Sequence, residues 1–221
     1  MQREAVVSTR IDVASSITGL LPRLIERYTV QEGEKPYIHL LLGSEELYRL
    51  LGEDRLDFAI TSVPFSSLDI NWKPIQEDSV VLIVPEGHRF CGRESVTVNE
   101  LAPERIVCNV NYMEKASINE MCLRSSFFPN IVVQGNEFLT ADREIIPFRT
   151  GVMPVLGHTV PLIRSICAPG FEVVPIKGPF SKVTVGIAIK KSRPMSASAR
   201  AFYDFALREL PSLITRAPDL K

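Results

Sequence analysis

Five polar residues stand where a small molecule could be held: Ser15, Ser16, Ser44, Thr61 and Asn136. Each falls at a junction where an apolar run gives way to a helix or a loop. In an open α/β sheet such junctions share the edge at which small ligands bind. A helix predicted to begin at Ser44 adds free N–H groups and the positive end of its dipole, which favour an anion. The chemistry this points to is recognition by hydrogen bonding, with no bond made or broken. These residue types are also preferred helix caps and turn formers. The two roles are compatible, because a capping hydroxyl can also line a cleft.

Signals for catalysis fail one by one. No two of the twelve glycines are separated by a single residue, so the dinucleotide-binding G-x-G-x-x-G is absent. Gly87 and Gly92 have phosphate-loop spacing in GHRFCGRE, but the Lys-Ser/Thr that must follow is missing, and the segment reads as a surface turn. G-x-S-x-G does not occur. The carboxylate pairs Glu45-Glu46 and Glu53-Asp54 point different ways on a helix and read as a solvated face. Asp57 reads as a local cap or partner. Cys108 sits in a β-rich run and reads as core. Cys91, Cys108, Cys122 and Cys167 show no C-x-x-C spacing, and His39, His88 and His158 form no close pair. No metal site and no cofactor is expected, and the chain does not read as an enzyme.

Those five residues depend on the elements around them. Residues 40–63, LLLGSEELYRLLGEDRLDFAITSV, read as a strand, a Gly43-Ser44 turn, a helix with Leu47, Leu50 and Leu51 on one face, a turn at 52–55, and a strand at 56–60 that stops at Thr61-Ser62. Before this β-α-β unit come a strand within 6–13, a helix from Ser15-Ser16 to about Tyr28 with both serines as caps, and a strand at 37–42. After it come strands at 75–85, 106–110, 131–134, 153–156, 172–176 and 183–189, with a short strand or turn at 95–101. Helices are expected at 115–125, capped by Ser117, and at 139–148. A final helix runs from 197 to about 210, where Pro211 ends it. The alternation predicts a mostly parallel sheet with helices on both faces. The stretches 80–84 and 183–189 stand out as paired crossings between two lobes.

Composition sets the class. The chain has 221 residues, 45% hydrophobic and 23% charged, with a formal charge of -1. This is the balance of a globular protein, and it gives no electrostatic case for nucleic-acid binding by these residues. No apolar run reaches the roughly 20 residues of a membrane span, and the first residues do not have the pattern of a signal peptide. A cytoplasmic protein is expected.

The order of these pieces resembles the effector-binding domain of LysR-type transcriptional regulators. The segments that carry the resemblance are SSITGLLPRLIERY, IHLLLGSEELYRLLGEDRLDFAI, IQEDSVVLIVPEGHRF and the closing GIAIKKSRPMSASARAFYDFALREL. Leu56, Asp57, Ala59 and Ile60 fit the family's "L..G.LD.AI", although Gly52 is shifted. His88 fits "V.P..HPL", with Arg89-Phe90 in place of Pro-Leu. RTGVMPVLGHTVP keeps Gly151 of "G.G...LP" and has Met153 at the second glycine.

The resemblance implies a type II periplasmic-binding-protein-like fold of two α/β lobes joined by two crossover strands. Lobe I would be 1–83 plus 184–221, and lobe II would be 84–183. It implies that a small, anionic effector lies between the lobes, met by Ser15 or Ser16 and by Ser44, with Thr61 lining the first lobe and Asn136 the second. It further implies a homodimer or homotetramer in which residues 16–28 take part, unless their apolar face is core. DNA would be bound only through an N-terminal helix-turn-helix domain not found in this sequence. Two other readings share the fold: a solute-binding protein of a transporter, and an enzyme with catalytic groups in the cleft.

Overall fold

Residues 11–33, 43–65, 67–109, 113, 115–135, 151–166 and 170–214 are described by the structure, a computed structural model. Asn136, Cys167, the strand expected at 37–42 and the helix expected at 139–148 lie outside them.

The chain enters through β1 (Val13–Ser15), which runs parallel to β2 (Phe58–Thr61) with Val13 opposite Phe58 and Ser15 opposite Ile60. Between them come α1 (Leu20–Glu32) and α2 (Ser44–Gly52). Leu47, Leu50 and Leu51 of α2 are buried against Ala14, Ala59 and Ala188, as their spacing predicts. The opposite face of α2 is exposed and carries Arg49 between Glu46 and Glu53, each at 2.5 Å.

β3 (Ile70–Pro85) is the organising strand. Its first ten residues run antiparallel to β9 (Lys182–Lys190), from Ile70 opposite Lys190 to Ser79 opposite Lys182, and β9 pairs in turn with β2. At Val80 the partners change. The rest of β3 lies between β7 (Met153–Leu156) and β8 (Phe171–Lys177), antiparallel to both. On the far side of β8 is β4 (Val96–Thr97). On the far side of β7 is β5 (Arg105–Asn109), which pairs in parallel with β6 (Asn130–Gly135). Backbone bonds of 2.9 Å from Val107 to Val152 and from Val152 to Arg105 join β7 to β5. The result is two α/β lobes sharing one continuous strand, with β9 as the return passage. Val80 to Val84 are fully buried, which is why that run reads as continuously apolar rather than alternating.

Two expectations about this sheet are corrected. It is mixed, not mostly parallel, because the two strands that pass between the lobes run against each other. The segment 183–189 pairs with the first half of β3, not with 80–84, whose partners are β7 and β8. The partner change on β3 falls between Ser79 and Val80, and β9 begins at Lys182.

Helix limits moved for identifiable reasons. Ser15 and Ser16 do not cap α1, which begins at Leu20 behind Gly19 with φ 81°. Ser15 is the last residue of β1, and the Ser16 N–H still bonds to Ile60 at 2.9 Å, so the strand outlasts the expected cap. α3 (Lys115–Arg124) takes in Lys115, so Ser117 is inside its first turn and does not cap it. α4 (Val160–Ile166) follows a 3-10 turn at Gly157–Thr159. The last helix, α5 (Ala197–Ile214), runs through Pro211. A proline inside a helix costs about 3 kcal/mol. Here Leu213 and Ile214 beyond it are each 1% exposed, and burying two such side chains returns about 3–6 kcal/mol. The apolar face of α1 is core, with Tyr28 edge-on to Phe202 and Phe205 of α5 at 4.8 and 5.0 Å.

Asp57 is not a local partner. Its carboxylate accepts the backbone N–H of Asp12 at 2.8 Å and pairs with Arg193 at 3.1 Å, tying the entry to β1 and the approach to α5 onto β2.

A capping box opens the 3-10 turn Val98–Leu101, where Glu100 accepts the Thr97 N–H at 2.8 Å and Arg93 at 2.6 Å. These donors, the backbone N–H first, lower the Glu100 carboxyl to about 2. A carboxyl lowered on folding stabilises the fold above its unfolded value near 4.5 and loses that contribution as pH falls toward 2. Glu100→Gln is therefore expected to cost about 1 kcal/mol or less at pH 7. Urea unfolding of both proteins should show the gap closing between pH 4.5 and 2.

Candidate functional site

Three of the five expected residues meet. Ser16 follows β1, Ser44 is the first residue of α2, and Thr61 ends β2. Ser44 donates to Ser16 at 3.1 Å and lies 2.5 Å from Thr61. With the Ser44 hydrogen on Ser16, Thr61 is the donor across the second contact, and Thr61 also accepts the Val63 N–H at 3.1 Å. The direction of donation is Thr61 to Ser44 to Ser16, which leaves the Ser16 hydroxyl hydrogen at the end of the row. Hydrogen bonds in such a chain polarise one another. All three residues are buried. The parallel pairing of β1 with β2 sets their strand ends side by side, and the crossover helix begins above them.

Ser15 is not part of this row. Its hydroxyl accepts the Ile17 N–H at 3.0 Å and donates to the Ile17 carbonyl at 3.1 Å, closing a tight turn. It shapes the loop that carries Ser16. Asn136 falls outside the described residues.

A cavity of about 290 Å³ lies between the lobes. Its walls are Ser62, Pro64, Trp72 and Pro74 from one lobe, Ser117, Glu120, Met121 and Arg124 of α3 from the other, and residues 180 and 182–184 at the return passage. The three hydroxyls are not among these walls; Ser62, the neighbour of Thr61, is. This volume sits near the lower end for small-ligand sites. The charged groups of the lining are Arg124, Lys182 and Glu120. Arg124 stands 3.6 Å from Glu120 and 4.2 Å above the Phe180 ring, while Lys182 is held 3.1 Å from Glu77. The Trp72 indole N–H is buried without a partner among the described residues.

Sequence reasoning missed Ser62, Ser117 and Arg124 as lining groups. Ser62 was visible beside Thr61 at a strand end. Ser117 and Arg124 carried no signal of their own, because only the tertiary placement of α3 brings them to the cavity wall.

Two α/β lobes, a shared strand, a return strand and a polar cavity between the halves define a two-lobed ligand-binding module of the type II periplasmic-binding-protein class. Residues 7–211 match the LysR substrate binding domain, and the chain belongs to that family. Among curated relatives, the uncharacterized HTH-type transcriptional regulator YybE of Bacillus subtilis is 26% identical over 195 residues, 86% of this chain and 63% of its own length. The transcriptional dual regulator GltC of the same organism is 27% identical over 203 residues, 88% of this chain and 64% of its own length. The chain thus spans a little under two thirds of these relatives. Solved structures share the fold. An H2O2-bound cysteine mutant of Corynebacterium glutamicum OxyR has a TM-score of 0.76 at 16% identity, covering 97% of this chain and 67% of that one. The BenM effector binding domain with its effector benzoate has a TM-score of 0.70 at 16% identity, covering 91% of each.

Proposed function

We propose that this domain senses a small anionic metabolite held between its lobes and thereby controls transcription by an intact LysR-type regulator. The observation that carries the reading is the row of hydroxyls from Thr61 to Ser16, together with a cation-bearing interlobe cavity whose wall includes Ser62, the residue after Thr61. The Ser16 hydroxyl and the first N–H groups of α2 would hold the charge of the ligand. Arg124 would meet it from the second lobe. Asn136, which follows Gly135 in the sequence, is assigned to the same cleft, and Ser15 acts by shaping the loop.

Closure would turn the lobes about the passages at Ser79–Val80 and at Lys182. A ligand shifts that equilibrium only by as much as it favours one state over the other. DNA binding, assembly as a homodimer or homotetramer, and a cytoplasmic location are assigned to the intact regulator. No helix among the described residues is long and apolar enough to cross a membrane. The domain would work by binding, without catalysis.

The test is a thermal-shift screen of carboxylate metabolites, since a ligand that binds the folded state raises the melting temperature. A hit should lose about tenfold in affinity on Ser16→Ala or Ser44→Ala, the worth of one hydrogen bond to a charged group. If both variants keep the affinity of the parent protein, the site lies elsewhere.

A further inference from the structure

A deeply buried polar contact outside the hydroxyl row joins the two lobes. His158 lies in the 3-10 turn Gly157–Thr159 of the second lobe, and Asp78 lies on β3 where it still pairs with β9. Both side chains are almost wholly out of water, at 1% and 2% exposed. His158 Nδ1 is hydrogen-bonded to the Asp78 carboxylate, whose Oδ2 also accepts the His158 backbone N–H at 3.4 Å. On the other side of the ring, Nε2 is 3.1 Å from the carbonyl oxygen of Thr18, in the β1–α1 loop of the first lobe.

The Thr18 carbonyl can only accept, so Nε2 must carry a hydrogen. That leaves one proton between Nδ1 and Asp78. The histidine–aspartate pair is then neutral overall, the form that burial tolerates best. The ring reaches from β3 to a carbonyl two residues after Ser16. The same loop is held from within by Ser15 on Ile17 and begins with Ser16 against Ser44. α4, the continuation of the His158 turn, also approaches it: a Cβ placed on Gly19 would lie 3.9 Å from Leu162 Cδ2.

We infer that His158, oriented by Asp78, is a positioning residue that holds the Ser15–Ser16 loop in place from the opposite lobe through the Thr18 carbonyl. The consequence rests on the reading of Ser16 as a ligand group: its placement is then set by the relation between the lobes, so ligand contact and lobe angle are coupled at one hydrogen bond.

The test needs no ligand, so its outcome is separate from that of the metabolite screen. Asparagine places an amide near the Nδ1 position and keeps only the Asp78 partner, whereas glutamine reaches the Nε2 position and keeps the Thr18 partner. Amide hydrogen exchange on the 221-residue chain should show Ser16 and Ile17 exchanging at least about tenfold faster in His158→Asn, with the exchange largely restored in His158→Gln. Equal exchange at Ser16 and Ile17 in both variants and the parent would overturn the inference and leave the pair as a packing feature. Should His158→Asn fail to fold, the unaltered protein decides. Nitrogen-15 spectra of labelled histidine should show a long-lived proton on Nε2 of His158, and a bare Nε2 would overturn the inference equally.

Discussion

Gly151→Ala is expected to destabilise the chain by about 3 kcal/mol, at the upper end of what overpacking costs. A Cβ on Gly151 would stand 2.1 Å from the Arg105 carbonyl oxygen and 2.8 Å from its carbon. Both are backbone atoms of β5, so no side chain can swing aside. The same Arg105 carbonyl accepts the Val152 N–H at 2.9 Å. A methyl group there pushes β7 away from β5 and breaks the join between the central and outer strands of the second lobe. Against a total stability of about 5–15 kcal/mol this is a large fraction. Urea unfolding should show a lower midpoint with the slope little changed. Gly52 is the control: nothing lies within 4 Å of its Cβ position and its φ is not positive. Gly52→Ala at the end of α2 should be neutral or stabilising by up to about 1 kcal/mol. A Gly151→Ala protein as stable as Gly52→Ala would mean that β7 and β5 are not this close.

Phe202→Ala should cost about 3–5 kcal/mol, the range for emptying a large aromatic site. Phe202 is fully buried in α5. Its ring lies 4.8 Å from Tyr28 of α1, 5.7 Å from Phe58 of β2 and 6.4 Å from Phe205, so it is the point where two helices and a strand of the first lobe meet. The rings around the vacated site cannot collapse together, because they are fixed to three different elements. Phe202→Leu refills most of the volume and should cost under about 1.5 kcal/mol. Phe128→Ala, at a side chain 82% exposed, should stay within about 0.5 kcal/mol. A cost for Phe202→Ala no larger than for Phe128→Ala would contradict the packing of α1 onto α5.

The two substitutions differ in how far a reader of the sequence could have foreseen them. Phe202, Phe205, Ala206 and Leu210 share one face at helical spacing, so their burial is legible from the sequence. Gly151 was visible as a motif glycine, but its reason was not: the clash partner, Arg105, is distant in sequence, and only the pairing of β7 with β5 brings it near. Asp57 is a similar case. The motif residue was recognised, while its partners Asp12 and Arg193 became evident only once the chain had folded.

Local patterning by itself determined the elements. The leucine face of α2, the β7 segment at 153–156, the continuous apolar run of β3 and the amphipathic α5 all follow from periodicity, because side-chain burial along one helix or strand depends on neighbours a few residues away. It also placed Thr61 at the end of β2 and Ser44 at the start of α2. Tertiary structure decided which strands are partners, that β9 lies along the first half of β3, that α5 passes Pro211, and that Ser15 turns away from the row its neighbour joins. It alone placed α3 on the interlobe cavity and His158 against Asp78 and Thr18. These are contacts between residues far apart in the chain, and their free energy comes from surfaces and hydrogen bonds that exist only after the chain has closed on itself.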